Sequence, residues 1–225
     1  MMQFEIFGPA PAPPDQGVLR IDAGAVLQRA FAQPIAHDLI DAIESVADRA
    51  PFRHMVTRRG GTLSVAMSNC GELGWVSDRS GYRYDPIDPE SGQHWPKMPP
   101  LFADLAQRAA RAAGFAEFSP DVCLINRYQP GNRLGLHQDM DEGEFLSPIV
   151  SVSLGLPAIF LWGGKRRAER PRRIPLAHGD VVVWGGPARM NFHGVHSVAA
   201  GEHPLTGGSR YNLTFRRARA GGSAP

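Results

Sequence analysis

In the stretch Leu124-Ile-Asn-Arg-Tyr-Gln-Pro-Gly-Asn-Arg-Leu-Gly-Leu-His-Gln-Asp-Met-Asp141, an imidazole and a carboxylate stand two residues apart, at His137 and Asp139. In an extended chain residues i and i+2 project from one face, so these two side chains converge. Together they supply two thirds of the open 2-His-1-carboxylate arrangement that holds catalytic iron(II). A third ligand, most naturally a histidine, has to come from elsewhere in the chain.

The other histidines sort by context. His37, His54 and His94 precede the strand-rich half and are expected at the surface. His178 lies in the turn Ala177-His-Gly-Asp180 and His203 in another Gly/Pro-rich turn, where a polar loop role suffices. His193 and His196 share a predicted strand, but at a spacing that puts them on opposite faces, so one of them turns inward. The last predicted strand adds a second kind of chemistry. Arg210, Asn212, Thr214 and Arg216 share one face, and Tyr211, Leu213 and Phe215 the other. An arginine is rarely buried without a partner, so two on an interior face call for anions. A bound dicarboxylate fits the bidentate guanidinium fork, and ion pairs with Asp or Glu of neighbouring strands are the alternative. Leu124, Asn126 and Tyr128 form a similar face, offering an amide and a phenol.

The elements that position these groups read as mainly β with flanking helices, an α+β arrangement. After Phe118, short runs rich in β-branched or aromatic residues fall at 122–128, 134–139, 149–154, 158–162, 181–184, 190–198 and 210–216, separated by Gly/Pro turns. Such a series without intervening helices predicts a sandwich or double-sheet jelly roll. The first two runs flank a tight Pro130-Gly131 turn. Upstream, Leu39, Ile43, Val46, Ala47 and Ala50 keep helical spacing over 37–50, up to Pro51. A second helix is predicted over 101–113, between Pro99-Pro100 and Gly114. Both helices are expected to cover one sheet. Residues 55–67 suggest a strand pair about Gly60-Gly61, and 68–100 an irregular segment serving as a lid or binding loop. The expected division is a loose arm over 1–15, helices and lid over 16–120, the jelly-roll core over 121–217 and a short tail over 218–225.

Composition narrows the function classes. The apolar share is 43% and the charged share 20%, which point to an ordinary folded chain of 225 residues with a sizeable core. No apolar run approaches the ~18 residues of a membrane span. Met1 to Pro14 lacks the basic and apolar regions of a signal peptide. Cys70 and Cys123 lack metal-ligand spacing and need not pair, so a reduced, cytoplasmic setting is expected. The net charge is only +2, yet Lys165, Arg166, Arg167, Arg170, Arg172 and Arg173 crowd one segment, interrupted by Glu169. That is either a solvated loop or a contact for phosphates.

Asn126-Arg-Tyr128, His137-Gln-Asp139, His193-Gly and Arg210-Tyr-Asn-Leu-Thr-Phe-Arg216 together resemble the AlkB family of iron(II)- and 2-oxoglutarate-dependent dioxygenases. The resemblance runs from about Ala23 to Arg217. It extends to Pro51-Phe-Arg, Met67-Ser-Asn-Cys-Gly, Leu73-Gly-Trp75, Pro86-Ile-Asp-Pro89 and Ser151-Val-Ser-Leu-Gly-Leu-Pro157. These lid motifs are similar to those of the bacterial branch that repairs alkylated DNA.

The resemblance implies a double-stranded β-helix core with a nucleotide-recognition lid, and a role for each matching residue. His137, Asp139 and His193 would ligate iron. Arg210 and Tyr128 would hold the distal carboxylate of 2-oxoglutarate, with Arg216, Asn126 and Asn212 at its other end. Trp75 and His137 would sandwich the damaged base, Asp141 would meet its exocyclic amine, Met67 and Tyr82 would lie beside it, and Arg167 near its phosphates. The implied reaction uses Fe(II), 2-oxoglutarate and O2 to demethylate 1-methyladenine and 3-methylcytosine in DNA, preferably single-stranded, releasing succinate, CO2 and formaldehyde. A monomer is expected. Met140 departs from the pattern, because bacterial relatives carry a lysine between the two aspartates. RNA, a protein or a small molecule remain alternative substrates, and a non-catalytic jelly-roll binding module is the alternative outside the enzyme class.

Overall fold

A computed structural model describes residues 17–142 and 145–219. The expected arm over 1–15 lies outside the described residues, as does the tail from 220 onward. Where the tail begins, the Ala218 and Arg219 amides donate to the Asp121 carboxylate at 2.7 and 3.0 Å.

The elements in chain order are β1 (Val18–Asp22), β2 (Ala25–Gln28), α1 (Ala36–Arg49), β3 (Arg53–Val56), β4 (Thr62–Gly71), β5 (Gly74–Asp78), β6 (Gly81–Asp85) and α2 (Pro100–Ala112), followed by β7 (Val122–Tyr128), β8 (Leu134–His137), β9 (Ile149–Gly155), β10 (Ala158–Trp162), β11 (Arg172–Leu176), β12 (Val181–Trp184), β13 (His193–Val195) and β14 (Arg210–Arg216). An eight-stranded sheet runs β1-β2-β12-β9-β14-β7-β4-β3, a four-stranded sheet runs β11-β10-β13-β8, and β5-β6 form a separate hairpin. This is the jelly-roll architecture with flanking helices.

Strand alternation builds two different faces on the large sheet. Ile125, Val150, Val152, Val181, Val183, Leu213 and Phe215 point one way and pack with Leu39, Ile43, Phe102 and Leu105 of the helices. Both helices therefore cover this sheet. The alternate residues point toward the small sheet, and there the lining is apolar at both ends and polar between. At one end Phe160, Trp162, Ile174 and Trp184 cluster, and at the other Met67, Leu124, Leu156 and Val195. The strip between these plugs carries Asn126, Ser151, Ser153, Arg210, Asn212 and Arg216, all buried.

Four expectations about the elements are corrected. Residues flanking Pro130-Gly131 do not form a hairpin, because β7 joins the large sheet and β8 the small one. The turn thus carries the chain across the cleft. Residues 68–100 are not wholly irregular, since they hold the end of β4 and the β5–β6 hairpin. Arg172 and Arg173 belong to β11, paired with Trp162 and Leu161, and are not loop residues. The strand at 190–198 shrinks to His193–Val195, with a 3-10 turn at Gly186–Ala188 before it. The two cysteines face each other across β4 and β7 as buried free thiols.

At the end of β9, Gly155 adopts φ +83°, a conformation that L side chains resist. Its amide donates to His178 Nδ1 at 2.9 Å, and the Leu205 amide donates to His203 Nδ1 at 3.3 Å. The two imidazoles stack at 4.3 Å between centroids. Burial lowers the pKa of both, and for His178 the neighbouring His203 adds to it. The unfolded chain takes up protons below the ordinary imidazole pKa of ~6.5 that the folded chain resists, so this stability is present above that pH and is lost as pH falls. His178→Asn, which keeps an acceptor for Gly155, should flatten the dependence of urea-unfolding stability on pH between about 7 and 5. Parallel curves for variant and parent would mean that His178 titrates as it does in the unfolded chain.

Candidate active site

The residues that could do chemistry meet in one cavity of about 240 Å³ between the sheets. His137 ends β8 and pairs in register with His193, the first residue of β13. Their rings lie 4.4 Å apart between centroids. Asp139 sits beyond the end of β8, so its convergence comes from the following turn and not from strand alternation. Its Oδ1 lies 3.6 Å from His137 Nε2 and its Oδ2 3.7 Å from His193 Nε2. One ligand atom from each of the three residues lies within 4.8 Å of the others. His196 is exposed and turned away, which decides between the two histidines of that segment in favour of buried His193.

Both imidazoles are oriented through their far nitrogens. His137 Nδ1 lies 2.9 Å from the Gly135 carbonyl and His193 Nδ1 3.1 Å from that of Asn191. An Nδ1–H donated to a carbonyl leaves the Nε2 lone pair free and aimed at the shared point, the tautomer a metal ligand needs. Trp184 packs on His193 at 4.9 Å between centroids. Burial, reinforced by His137, lowers the His193 pKa to about 3, so the ring is neutral at physiological pH.

Asp139 faces the opposite demand. Burial alone would raise its pKa, but Arg216, then His193 and His137, outweigh that and hold the carboxyl well below the usual range. Arg216 reaches Asp139 Oδ2 through Nε and Nη2, both at 2.9 Å. The Arg189 guanidinium donates to the Asp139 carbonyl at 3.0 Å and lies 3.2 Å from Glu142 Oε2. Glu142 Oε1 lies 3.2 Å from Arg216 Nε and accepts the Tyr84 hydroxyl at 2.8 Å. Two carboxylates and two guanidiniums thus neutralise each other beneath the triad, and Arg216 takes the ion-pair alternative raised above.

Arg210 does not. Its Nη2 donates to Ser153 Oγ at 2.9 Å and its Nη1 contacts the Leu156 carbonyl at 3.4 Å, and no carboxylate lies within ion-pair distance among the described residues. Burial lowers its pKa to about 10, which still leaves it charged at neutral pH. Arg210 Nε, the Tyr128 hydroxyl, Asn126 Oδ1 and Arg216 Nη1 are buried without hydrogen-bond partners. Such orphaned groups are costly unless something supplies the missing partners. A dicarboxylate spanning from Arg210 and Tyr128 toward Arg216 supplies acceptors for the three donors among these groups, though not a donor for Asn126 Oδ1, and the triad's donor set fits iron(II). Asn212 is already engaged, its amide donating to Ser151 Oγ at 2.8 Å and its oxygen accepting from Thr214 at 2.8 Å.

The mouth of the cavity is roofed by the β5–β6 hairpin. Trp75 and Tyr82 stack at 5.5 Å and an interplanar angle of 18°. The Trp75 indole N–H donates to Asp141 at 3.1 Å, while Asn69 holds the Trp75 backbone through its N–H and C=O, each at 3.0 Å. Met67 and Leu63 line the same cavity from β4. Arg167 donates to the Leu136 carbonyl at 2.7 Å, which brings it to the rim. The rest of its cluster is differently engaged: Arg166 pairs with Glu169 at 2.8 Å and Arg172 donates to the Ile21 carbonyl at 2.9 Å. Met140 is exposed.

The family model of the 2OG-Fe(II) oxygenase superfamily matches residues 24–216. The alpha-ketoglutarate-dependent dioxygenase AlkB of Escherichia coli is 58% identical over 196 residues, covering 87% of this chain and 91% of that protein. The chain belongs to the AlkB family. The DNA N(6)-methyladenine demethylase ALKBH1D of Arabidopsis thaliana is 39% identical over 149 residues, covering 54% of this chain and 33% of that protein. Among solved structures, that of OsALKBH1 superposes with a TM-score of 0.80 at 31% identity, covering 89% of this chain and all of that one. As an AlkB-family member the chain is an Fe(II)- and 2-oxoglutarate-dependent dioxygenase.

Within this AlkB-family site, three residues escaped the sequence reading: Tyr84, Glu142 and Arg189. Glu142 and Arg189 lie outside regular strands, where no periodicity signals burial. Ser153, the partner of Arg210, was legible in principle, because Ser151 and Ser153 alternate with apolar residues along β9. Removing the Glu142 side chain leaves Arg189 and Arg216 with excess buried positive charge. Glu142→Ala should therefore lower unfolding free energy by about 3–5 kcal/mol, the cost of breaking a buried pair from one side. Chemical denaturation checks this, and a loss below about 1 kcal/mol, typical of a surface pair, would place Glu142 among exposed groups.

Proposed function

We propose that this enzyme removes methyl groups from N-alkylated bases, 1-methyladenine and 3-methylcytosine in single-stranded DNA above all. One observation carries the reading: a two-histidine, one-carboxylate cluster and an uncompensated buried arginine share a cavity roofed by stacked aromatics. The Arabidopsis relative's description as a DNA demethylase supports the substrate class. We further propose that the chain acts as a monomer in the cytoplasm, with residues 16–120 serving as helices and lid on the 121–217 core. No helix among the described residues is long and apolar enough to cross a membrane.

In this proposal His137, Asp139 and His193 hold iron(II), while Arg210 and Tyr128 receive one carboxylate of 2-oxoglutarate and Arg216, Asn126 and Asn212 attend the other. Held there, iron(II) with 2-oxoglutarate and O2 would supply the oxidation of the N-methyl carbon, released as formaldehyde alongside succinate and CO2. The protein's share is placement and charge. Arg216 keeps Asp139 ionised, and the carbonyls of Gly135 and Asn191 keep both Nε2 atoms unprotonated. The apolar plugs at either end exclude water. A methyl on the pairing edge of a base is reachable only when the base leaves its stack, and Trp75, Tyr82, Met67, Asp141 and His137 form the receiving pocket.

Incubating the holoenzyme with a 1-methyladenine oligonucleotide, as DNA and as RNA, and reading product mass and succinate tests the reading directly. Turnover on DNA that is lost in His193→Ala is expected, and absence of base repair with intact succinate formation would overturn the substrate class. The two ends of the cavity should also separate. Arg210→Ala should weaken 2-oxoglutarate binding by about 1.5–3 kcal/mol, the worth of a charged hydrogen bond, and Arg210→Lys should not restore it fully. Trp75→Ala should instead weaken oligonucleotide binding by about 1–3 kcal/mol while sparing 2-oxoglutarate. Calorimetric titration of each ligand distinguishes the two, and equal losses in both variants would join what the proposal separates.

A further inference from the structure

Arg210 receives the co-substrate in the proposed function, so whatever fixes its guanidinium acts on that site. Its two acceptors, Ser153 Oγ and the Leu156 carbonyl, lie on one short run of chain where β9 ends. Gly155, within that run, is the cross-strand partner of Arg210. Two turns clamp the run. From the first, at 177–180, the Asp180 carbonyl accepts the Ser153 amide and the Gly179 amide donates to the Ser153 carbonyl, each at 2.8 Å. From the second, at 203–209, the Ser209 carbonyl accepts the Leu156 amide at 3.2 Å. The fit is close, because a Cβ on Gly155 would collide with Thr206 and Ser209.

The two turns also meet through side chains. His178 of the first accepts the Gly155 amide on Nδ1 at 2.9 Å and stacks at 4.3 Å on His203 of the second. His203 Nδ1 in turn accepts the Leu205 amide at 3.3 Å. Only a neutral ring can accept in this way, since both nitrogens of an imidazolium are donors. His178 is partly exposed and so within reach of solvent protons. Few charged groups surround it. The second turn brings His203, with exposed Glu202 preceding it in the chain. Its own turn brings Asp180, already engaged by Arg29 at 2.6 Å. β14 brings Arg210, and residues 153–157 bring none.

We propose that the His178–His203 pair positions Arg210 and thereby ties co-substrate affinity to pH. With His178 neutral, the Gly155 amide is held and the acceptors of Arg210 stay in place. With His178 protonated, two donors oppose each other, residues 153–156 loosen, and Arg210 loses its support. Burial and then His203 lower the His178 pKa, so affinity is full above the ordinary imidazole value of ~6.5 and is lost as pH falls below it. The acid limb of co-substrate binding thus has a source outside the metal cluster. The proposal rests on the role given to Arg210 in holding 2-oxoglutarate.

The test is calorimetric titration of 2-oxoglutarate into the full-length, manganese(II)-loaded protein, from about pH 8 to 5.5, across the imidazole transition. Asparagine at 178 keeps an acceptor for Gly155 but takes up no proton, whereas phenylalanine keeps the stack and offers no acceptor. His178→Asn should match the parent at the alkaline end and bind roughly three- to tenfold more tightly at the acid end, the worth of one neutral hydrogen bond. His178→Phe should bind more weakly than the parent by a similar factor at the alkaline end. That loss should vanish in an Arg210→Ala background, because the ring acts through this arginine. Manganese affinity, and kcat of the iron enzyme at saturating co-substrate, should stay at the parent's values, which a general loosening of the fold would not allow. Acid weakening at the metal ligands is common to all variants, so the ratio of affinities isolates His178. Parallel pH curves for parent and His178→Asn overturn the proposal, as does a His178→Phe loss that persists without Arg210. If His178→Phe does not fold, the comparison with His178→Asn decides alone. If Arg210→Ala itself leaves 2-oxoglutarate affinity unchanged, the reading of Arg210 fails and takes this proposal with it. An Arg210 effect beside silent His178 variants defeats this proposal only.

Discussion

The structure depends on keeping one buried carboxylate ionised. Asp139 is 7% exposed, and burial by itself would drive it toward the neutral acid, which is a poor metal ligand. Arg216 prevents that, but a guanidinium buried to the same degree needs more than half a partner. Glu142 supplies the remainder, and Arg189 in turn balances Glu142. The cluster is neutral as a whole, and its four side chains come from β14 and from turns on both sides of the cleft. Moving any one exposes the others to uncompensated charge, so the turns are fixed as firmly as the strands.

This cluster also explains why the cleft has two unlike ends. Arg216 is paired with carboxylates of the chain and keeps only Nη1 without a partner, whereas Arg210, six residues away on the same strand face, has neutral oxygens from Ser153 and Leu156 for company. Sequence alone presents them as an equivalent pair, each able to meet an internal acid or an external anion. The fold makes one chiefly an internal counter-ion, with a single donor left over, and leaves the other without any carboxylate of the chain. Their different partners follow from where the turns carrying Asp139 and Glu142 happen to pass.

What was legible in the sequence was whatever repeats with a period. The alternation of β7 and β14 placed Asn126, Arg210 and Arg216 on the cleft side, and the helical spacing placed Leu39 and Ile43 on the sheet. Motif resemblance added His193 over His196, which alternation left open. The turns were less legible. Pro130-Gly131 announces a reversal but not that the strand beyond it joins the opposite sheet. Residues 68–100 looked irregular because the β5–β6 hairpin is short and its exposed face is aromatic and charged. Glu142 and Arg189 gave no signal, because a buried ion pair outside regular structure leaves no pattern in either of its partners.

The segment from Asp139 to Glu142 joins these levels. Asp139 faces the two histidines, Asp141 accepts the indole N–H of Trp75, and Glu142 accepts the hydroxyl of Tyr84 while balancing Arg216. Consecutive residues thus hold the metal-ligand cluster and both strands of the roofing hairpin, since Trp75 lies on β5 and Tyr84 on β6. The roof is attached to the same backbone that presents the carboxylate, and not to a separate scaffold. Met140 is the member of this run with its side chain in solvent, 58% exposed. It is also the position where the family resemblance implied a lysine. A change of charge at the exposed position leaves every hydrogen bond of its three neighbours in place. At Asp139, Asp141 or Glu142 the same change would break the joint between roof and metal cluster.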